Sequence, residues 1–277
     1  MIKKNHYLAP AKLNLFLHIT SQRADGYHNL QTIFQFLDFC DDLYFNVRPD
    51  GCLSCQSSVP PEQDIVLRAA RLLKQYTGTS LGADIRVEKK IPIGGGLGGG
   101  SSDAATTLLA LNQHWQLQLS SDTLAHLGLS LGADVPVFVH GHAAWAEGIG
   151  ESLKPIELDE PWYLVIHPGC HVSTAEIFST KDLTRDAKYI TIRDFIAGQS
   201  SNVCENVVRR RYPQVGQALD WLNQYSPARL TGTGACLFAR FESRAQAHAV
   251  LAQLPTVWNG FVARGKNNSP GLLQKHK

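Results

Sequence analysis

The chain has 277 residues, enough for one large domain or two ordinary ones, and its 44% hydrophobic and 18% charged residues are typical of a globular protein. Its 26 Lys and Arg residues nearly balance its 24 Asp and Glu residues, so we expect neither nucleic acid nor a membrane surface as a partner. No stretch of 18 apolar residues predicts a membrane span, and the six scattered cysteines are typical of reduced thiols in the cytoplasm, where we expect the protein.

Strands dominate the first ninety residues of the predicted structure. In PAKLNLFLHI the apolar and polar residues alternate, with Lys12 and Asn14 on the face opposite to Leu13 and Leu15. Two further strands are predicted at NLQTIFQFLDF and LYFNV, and the alternating stretch GADIRVEKKIPI leads into a run of glycines.

Three helices are also predicted in the first half of the chain. Asp64 can cap a helix over IVLRAARLLKQY, which precedes GADIRVEKKIPI. A second helix is predicted from about Asp103 to Trp115, and a third after Ser120 or Ser121. HAAWAEGIGESLKPI has the pattern of a hairpin.

The proline- and acid-rich stretch KPIELDEP is the predicted domain boundary. Beyond it, strands are predicted at WYLVIHP, ACLFARF and NGFVAR, and helices near residues 203–211, 214–225 and 243–254. Strands and helices interleave without the strict alternation of a parallel sheet. The predicted fold class is therefore α+β, with domains at residues 1–155 and 156–277.

Six of the seven residues 94–100 are glycines, and two serines and a helix follow them. The first N–H groups of a helix are unpaired and carry a partial positive charge, and glycines let phosphate oxygens approach such groups closely. Ser101 and Ser102 can cap the helix, bind a phosphate or help to hold Mg²⁺. One or two glycines would suffice for a simple tight turn, so the run predicts a phosphate-binding loop.

Two common phosphate-binding motifs do not fit this run of glycines. Ser101 stands where a Walker A motif requires lysine. A dinucleotide-binding fold requires a strand ending in an acidic residue about 20 residues further on, and a helical pattern occupies that part of the chain.

The stretch PIGGGLGGGSSDAA resembles the ATP-binding motif of the GHMP kinases, which include galactokinase and the homoserine, mevalonate and phosphomevalonate kinases. PAKLNLFL and LTGTGACLFA lie where that family has its other two motifs. SQRADGYHNLQTIFQFLD and LGADVPVF resemble the member that phosphorylates the 2-hydroxyl of a cytidine diphosphate ester in isoprenoid biosynthesis. The resemblance spans essentially the whole chain. It implies an N-terminal ATP-binding domain and a C-terminal ferredoxin-like α/β sandwich domain.

The resemblance also implies the roles of individual residues. Lys12 is similar to the catalytic lysine, Asp134 to the general base, and Asn14 to a residue that contacts the substrate. For the ATP site the implied residues are Pro92, Ile93, Gly94, Gly95, Gly96, Leu97, Gly98, Gly99, Gly100, Ser101, Ser102 and Asp64. From the residues alone, Lys12 and Asn14 could also lie on a solvent-exposed strand face, and Asp134 could only cap the next segment.

A cytosine pocket is implied as well. In it, Tyr27 would stack on the base, His28 would bond to the edge of the base, Phe178 would close the other face, and Thr174 would contact the sugar or base. Asp64 departs from the family pattern, which has asparagine there, and a carboxylate can accept a hydrogen bond from the adenine amino group but cannot donate one.

The expected ligands are therefore ATP, Mg²⁺ and a small cytidine diphosphate ester, and the expected assembly is a monomer or homodimer. The metal ligands are not assigned by the sequence. Two alternatives stay open: a GHMP kinase that acts on homoserine, mevalonate or a sugar, and a nucleotide-binding regulator without catalysis. Substrates of the first kind carry no base to stack on Tyr27 and Phe178, and intact Lys12 and Asp134 disfavour the second.

Overall fold

A long hairpin begins the fold. In this computed structural model, which describes residues 5–57, 59–60 and 62–271, strand β1 (His6–Gln22) pairs antiparallel with strand β2 (His28–Arg48). The turn between them contains Gly26, whose φ of +86° favours glycine. The prediction of two separate strands at NLQTIFQFLDF and LYFNV was wrong, because β2 runs through the acidic residues between them.

The remaining elements extend this hairpin into a sheet with helices packed on it. In chain order the described residues form β3 (Leu53–Gln56), α1 (Ile65–Thr77), β4 (Gly82–Glu88), α2 (Gly99–His114), α3 (Ser121–Leu129), α4 (Val135–His140), β5 (Ala144–Glu147), β6 (Ser152–Pro155), β7 (Trp162–His167), α5 (Thr174–Ser179), α6 (Ile192–Ile196), α7 (Glu205–Arg211), α8 (Pro213–Leu222), β8 (Ala228–Leu230), β9 (Leu237–Phe241), α9 (Arg244–Leu251) and β10 (Asn259–Lys266).

The strands form one sheet with the order β3-β4-β2-β10-β7-β9-β8, in which β1 and β5 also pair with β2, and β6 pairs with β5. Strands β3 and β4 are parallel, and the other pairs are antiparallel. This mixture of helices and a largely antiparallel sheet confirms the α+β prediction. Of the helices described, none has both the length and the hydrophobicity that crossing a membrane requires.

The predicted helix ends are confirmed at two helices and shifted at a third. The Asp64 carboxylate caps α1, and the Ser120 hydroxyl caps α3. Helix α2 begins at Gly99, four residues before the predicted start, because Gly98 takes a left-handed conformation with a φ of +71° and the next glycines form the first turn. Strands β3 and β8 and helices α4, α5 and α6 were not predicted, because each has six residues or fewer and shows too little periodicity.

A hydrophobic cluster joins the two halves of the chain. From the first half it contains Ala11, Leu13, Leu15, Phe16, Ile33, Leu37, Ile91, Leu97 and Trp145, and from the second half Tyr163, Val165, Cys236, Phe238 and Ala263. A domain boundary at residues 155 and 156 stays a prediction. The shared cluster holds the β1 motif and the glycine-rich loop against the C-terminal strands.

A buried ion cluster anchors the start of α2 to β2. Lys89 Nζ lies 2.5 Å from Asp41 Oδ2 and 2.7 Å from Asp103 Oδ2, and Asp41 Oδ1 accepts hydrogen bonds from the N–H groups of Lys90 and Ile91. Asp103 Oδ1 has no hydrogen-bond partner among the described residues. Burial raises the pKa of Asp103 to about 7, with a further contribution from Asp41 that Lys89 opposes.

We expect the free energy of unfolding to depend less on pH in the Asp103→Asn variant than in the wild type, because the variant lacks the buried carboxyl group. Because the pKa of Asp103 is higher in the folded state, the folded protein binds more protons than the unfolded chain between about pH 4 and pH 7, and stability from this group falls as the pH rises through that range. Between pH 5 and pH 8, the free energy of unfolding should therefore fall less in the variant than in the wild type, by about 2 kcal/mol. Urea denaturation at both pH values measures this difference.

The exposed first-turn residue Asp122 of α3 provides the control, and Asp122→Asn should follow the wild-type pH profile. Parallel profiles for Asp103→Asn and the wild type would contradict the raised pKa of Asp103.

Candidate active site

Lys12 is a buried cation at the centre of the site. It lies on β1, and only 3% of its side chain is exposed. Its Nζ lies 3.2 Å from Asp134 Oδ2 and donates hydrogen bonds to Asn14 Oδ1 (2.5 Å) and to the carbonyl oxygen of Gly96 (3.1 Å). A buried ammonium group is tolerated only when its protons have partners, and these three acceptors fix its position.

Asn14 orients Lys12 and joins it to β2. Its Nδ2 donates to Thr32 Oγ1 (3.0 Å), and the Thr32 hydroxyl donates to the Phe16 carbonyl (2.5 Å). This chain of hydrogen bonds fixes the Asn14 amide with its oxygen towards Lys12. The alternative of a solvent-exposed strand face is therefore wrong for Lys12 and Asn14, since both are buried.

Thr231, from the C-terminal motif LTGTGACLFA, completes the framework. Its hydroxyl accepts a hydrogen bond from the Asn14 N–H (3.0 Å) and donates one to the Gly96 carbonyl (3.3 Å). Gly96 has a φ of +76°, and a Cβ at this position would lie 2.3 Å from the Thr231 carbonyl oxygen. Gly96 is therefore required both for its backbone conformation and for the close approach of the two motifs.

Two clefts meet at the glycine-rich loop. The larger cleft, of about 750 Å³, is lined by Lys12, Asn14, Asp134 and the aromatic residues described below. The smaller cleft, of about 350 Å³, is lined by Asp64, Lys89, Asp103 and residues 92–101. Gly96, Gly98 and Ser101 line both clefts. A group bound in one cleft can therefore reach a group bound in the other at this shared edge.

Asp134 is the residue immediately before α4, and its side chain faces the shared edge of the two clefts. Its side chain is 32% exposed, lines the larger cleft and makes no capping hydrogen bond to the helix that the structure describes here. The alternative of a simple cap is therefore wrong for Asp134. The carboxylate lies beside Lys12, with access to a molecule in the cleft.

The predicted base-binding residues lie at the other end of the larger cleft. Tyr27, His28, Thr174 and Phe178 all line it, and Tyr27 is 60% exposed. The Phe178 ring stacks on the His28 ring, with centroids 5.2 Å apart and an angle of 24° between the planes. Each of these two rings therefore covers one face of the other, and the bond from His28 to the edge of the base and the closing of the other face of the base by Phe178 stay predictions. Thr174 Oγ1 lies 2.8 Å from Thr233 Oγ1.

Three predicted nucleotide-binding residues have other contacts. Ser102 was expected in the ATP site, but it is fully buried and lines a separate cavity of about 20 Å³. Its hydroxyl therefore does not reach the smaller cleft. The Leu97 side chain is buried in the shared hydrophobic cluster, and only its backbone is available to the cleft. Asp64 lines the smaller cleft, but its carboxylate accepts hydrogen bonds from two N–H groups of α1 and from Ser57 Oγ (2.6 Å). Its contact with adenine stays a prediction.

The residues that sequence reasoning missed are Thr32, Thr231 and Thr233, which bond to Asn14, Gly96 and Thr174. Thr231 and Thr233 lie in the C-terminal motif, but a motif does not specify the contacts of its side chains. Thr32 carries no such signal, because threonine is common in strands. Within the described part of the chain, no three His, Cys, Asp or Glu residues lie close enough together to hold a metal ion.

Comparisons with known proteins agree with this geometry. Residues 64–142 match the model of the GHMP kinases N terminal domain, and residues 187–260 match that of the GHMP kinases C terminal domain. The 4-diphosphocytidyl-2-C-methyl-D-erythritol kinase of Nitrosococcus oceani is 59% identical over 264 residues, which cover 94% of each chain. The protein of the same name from Alkalilimnicola ehrlichii is 60% identical over 263 residues, covering 94% of this chain and 90% of its own.

Solved structures show the same relationship. A crystal structure of 4-(cytidine 5'-diphospho)-2C-methyl-D-erythritol kinase superimposes with a TM-score of 0.84 at 30% identity, covering 94% of this chain and 98% of its own. A mevalonate kinase structure, at 17% identity and a TM-score of 0.69 over 95% of this chain and 99% of its own, shares the fold. The protein therefore belongs to the GHMP kinases, the family that the glycine-rich loop and its two partner motifs predicted.

Proposed function

We propose that the protein transfers the γ-phosphate of ATP to the 2-hydroxyl of 4-diphosphocytidyl-2-C-methyl-D-erythritol, in the non-mevalonate route to isoprenoid precursors. The observation that carries this proposal is the meeting of two clefts at the glycine-rich loop, where Lys12 and Asp134 lie. Relatives about 60% identical over nearly the whole chain carry the name of this kinase. ATP would occupy the smaller cleft and the alcohol the larger one.

The glycine-rich loop is suited to hold the phosphates of ATP. Its glycines precede the first turn of α2, so the unpaired amides of that turn and the partial positive charge of the helix face the smaller cleft. Phosphoryl transfer depends mainly on positioning and on neutralising charge, and this loop supplies both.

Lys12 and Asp134 are suited to the other half of the reaction. The Asp134 carboxylate accepts the proton of the attacking hydroxyl, and the new oxygen–phosphorus bond forms as the bond between the γ-phosphate and ADP breaks. The Lys12 ammonium, 3.2 Å from that carboxylate, stabilises the negative charge that develops on the alcohol oxygen and on the transferred phosphoryl group.

An oxygen ligand for Mg²⁺ is present at the shared edge of the two clefts. Mg²⁺ binds oxygen ligands, usually one or two from the protein, with water and phosphate oxygens completing the shell. Ser101 lines both clefts beside the loop, and its hydroxyl would supply one such oxygen ligand. When bound, the ion neutralises charge on the phosphates of ATP.

Acceptor specificity would come from the aromatic end of the larger cleft. Tyr27 and the stacked pair of His28 and Phe178 provide flat surfaces and a polar ring edge, which suit a pyrimidine. A site that bonds to the edge of a base rejects ligands that leave its polar groups unpaired. Homoserine, mevalonate and galactose carry no base and would leave this end of the cleft empty.

An ADP-release assay with a panel of alcohols tests the proposal. We expect rapid ADP release with the cytidine diphosphate ester. With homoserine, mevalonate, galactose or the free methylerythritol phosphate we expect less than about 1% of that kcat/KM, because none of these alcohols carries a base. A base-free alcohol that is phosphorylated as efficiently as the cytidine ester would assign the protein to another GHMP activity. No turnover with any of these alcohols would favour a regulator that binds nucleotide without catalysis.

Gly100 provides a clean test of the phosphate loop. An added Cβ would lie 3.8 Å from its nearest neighbour, Ile65 Cγ2, whereas at Gly98 it would lie 2.8 Å from the Phe138 ring. Gly100→Ala should fold with unchanged or slightly higher stability, because alanine favours a helix. The added methyl group should hinder the close approach of a phosphate group and weaken ATP binding about tenfold, an effect similar in size to weakening one charge-assisted hydrogen bond. Isothermal titration calorimetry measures the change.

The matched control is Gly216→Ala, since Gly216 also lies in a helix, α8, with only ordinary contacts around an added Cβ. This variant should bind ATP like the wild type. Equal ATP affinities for the two variants would show that no phosphate group approaches Gly100 closely.

Asp134→Asn tests the proposed base. The amide keeps the size of the side chain but cannot accept the hydroxyl proton, so kcat should fall about 10²–10⁴-fold while ATP affinity stays nearly constant. Rapid-quench kinetics measure the chemical step directly. Asp159→Asn is the control, because that side chain is 78% exposed and pairs with Arg240. A chemical step of wild-type rate in Asp134→Asn would show that another group takes the proton.

A further inference from the structure

Arg185 ties the loop after α5 to the aromatic end of the larger cleft. Its Nη2 donates to the carbonyl oxygens of Phe178 and Thr180, each at 2.8 Å, and its Nη1 donates to that of Leu183 at 3.2 Å. Its Nε donates to Nε2 of His28 at 3.0 Å. One guanidinium group therefore holds both members of the stacked pair, Phe178 through its backbone and His28 through its ring.

The bond from Arg185 determines which nitrogen of His28 carries a hydrogen. A guanidinium group is always charged in proteins and can only donate, so His28 Nε2 must accept and cannot carry a hydrogen. In the neutral ring the hydrogen is then on Nδ1. Burial, followed by the positive charge of Arg185, lowers the pKa of His28, which favours the neutral ring at physiological pH.

The other ring nitrogen is left for the ligand. Among the described residues, the hydrogen bond from Arg185 is the one that the His28 ring makes, and His28 lines the larger cleft. Stacking on Phe178 fixes the plane of the ring, and the Arg185 bond fixes its rotation in that plane. The ring thus has one defined donor, the Nδ1–H group.

We propose that Arg185 is a positioning residue for base recognition, which fixes His28 as a hydrogen-bond donor through Nδ1. This inference rests on the proposed function, because it assumes that a pyrimidine base binds beside His28. It predicts that the His28 ring meets an acceptor of cytosine, N3 or the O2 oxygen, and not the amino group, which can only donate. Without Arg185 the hydrogen could move to Nε2, and Nδ1 would then present a lone pair to the acceptor.

Long-range ¹H–¹⁵N NMR of the imidazoles tests the inference directly. The His28 signals are identified by their loss in His28→Asn, and we expect the pattern of a neutral ring with its hydrogen on Nδ1. In Arg185→Lys the hydrogen should shift to Nε2 for a substantial fraction of molecules. Arg210→Lys is the matched control, because Arg210 pairs with Asp182 of the same loop and should leave the His28 signals unchanged.

Kinetics with a double-mutant cycle separate positioning from a purely structural role. Arg185→Lys should raise the KM for the cytidine diphosphate ester about threefold to tenfold, with the kcat and the KM for ATP nearly constant, because one hydrogen bond to the base is weakened. In His28→Asn the amide nitrogen replaces Nδ1 as a donor that needs no tautomer to be set. Adding Arg185→Lys to that variant should then raise the KM less than about twofold.

The two readouts distinguish failure of the inference from failure of the proposed function. A wild-type His28 that carries its hydrogen on Nε2, or an equal KM increase in both backgrounds, would overturn the role of Arg185 even if the cytidine ester is an excellent substrate. Absence of turnover of the cytidine ester by the wild type would overturn the proposed function, and base recognition with it, whatever the NMR signals show.

Discussion

The carbonyl oxygen of Gly96 accepts hydrogen bonds from Lys12 Nζ and from Thr231 Oγ1, and the geometry of the site depends on this atom. The three sequence motifs contribute one group each, from β1, from the glycine-rich loop and from the segment before β9. A buried ammonium group costs several kcal/mol unless it is paired, so Lys12 and its acceptors hold each other in place. The loop is consequently held through the Gly96 carbonyl by Lys12 and Thr231, and its opposite side, with the backbone amides, lines the smaller cleft.

The division of the site into two clefts follows from the same contacts. The loop that carries Gly96 stands between the clefts, so one face is available to a phosphate donor and the other to an acceptor. The ion cluster of Asp41, Lys89 and Asp103 anchors the smaller cleft to β2, and Arg185 links His28 in the larger cleft to the Phe178 carbonyl of α5. Each binding surface thus has its own support, and Lys12 and Asp134 lie where the two meet.

The sequence was most informative where a residue type has few alternatives. The run of glycines predicted a loop that leads into a helix, which the structure confirms beside a cleft. The resemblance gave Lys12 and Asp134 roles in one reaction, and the structure places them 3.2 Å apart. The pattern failed at β2, because Asp41 and Asp42 are strong turn formers that here are satisfied by Lys89 and the backbone and by His6. It also could not predict the stacking of His28 on Phe178, since these residues are 150 positions apart and no periodicity relates them.

The most direct test of a phosphoryl transfer between the two clefts is ³¹P NMR of the products that the full chain forms from ATP and the cytidine diphosphate ester. We predict one new phosphomonoester signal, assigned to the 2-carbon by its couplings, together with an intact diphosphate and one equivalent of ADP. Release of the γ-phosphate as inorganic phosphate alone, or its transfer to a different hydroxyl, would contradict the placement of the alcohol beside Asp134.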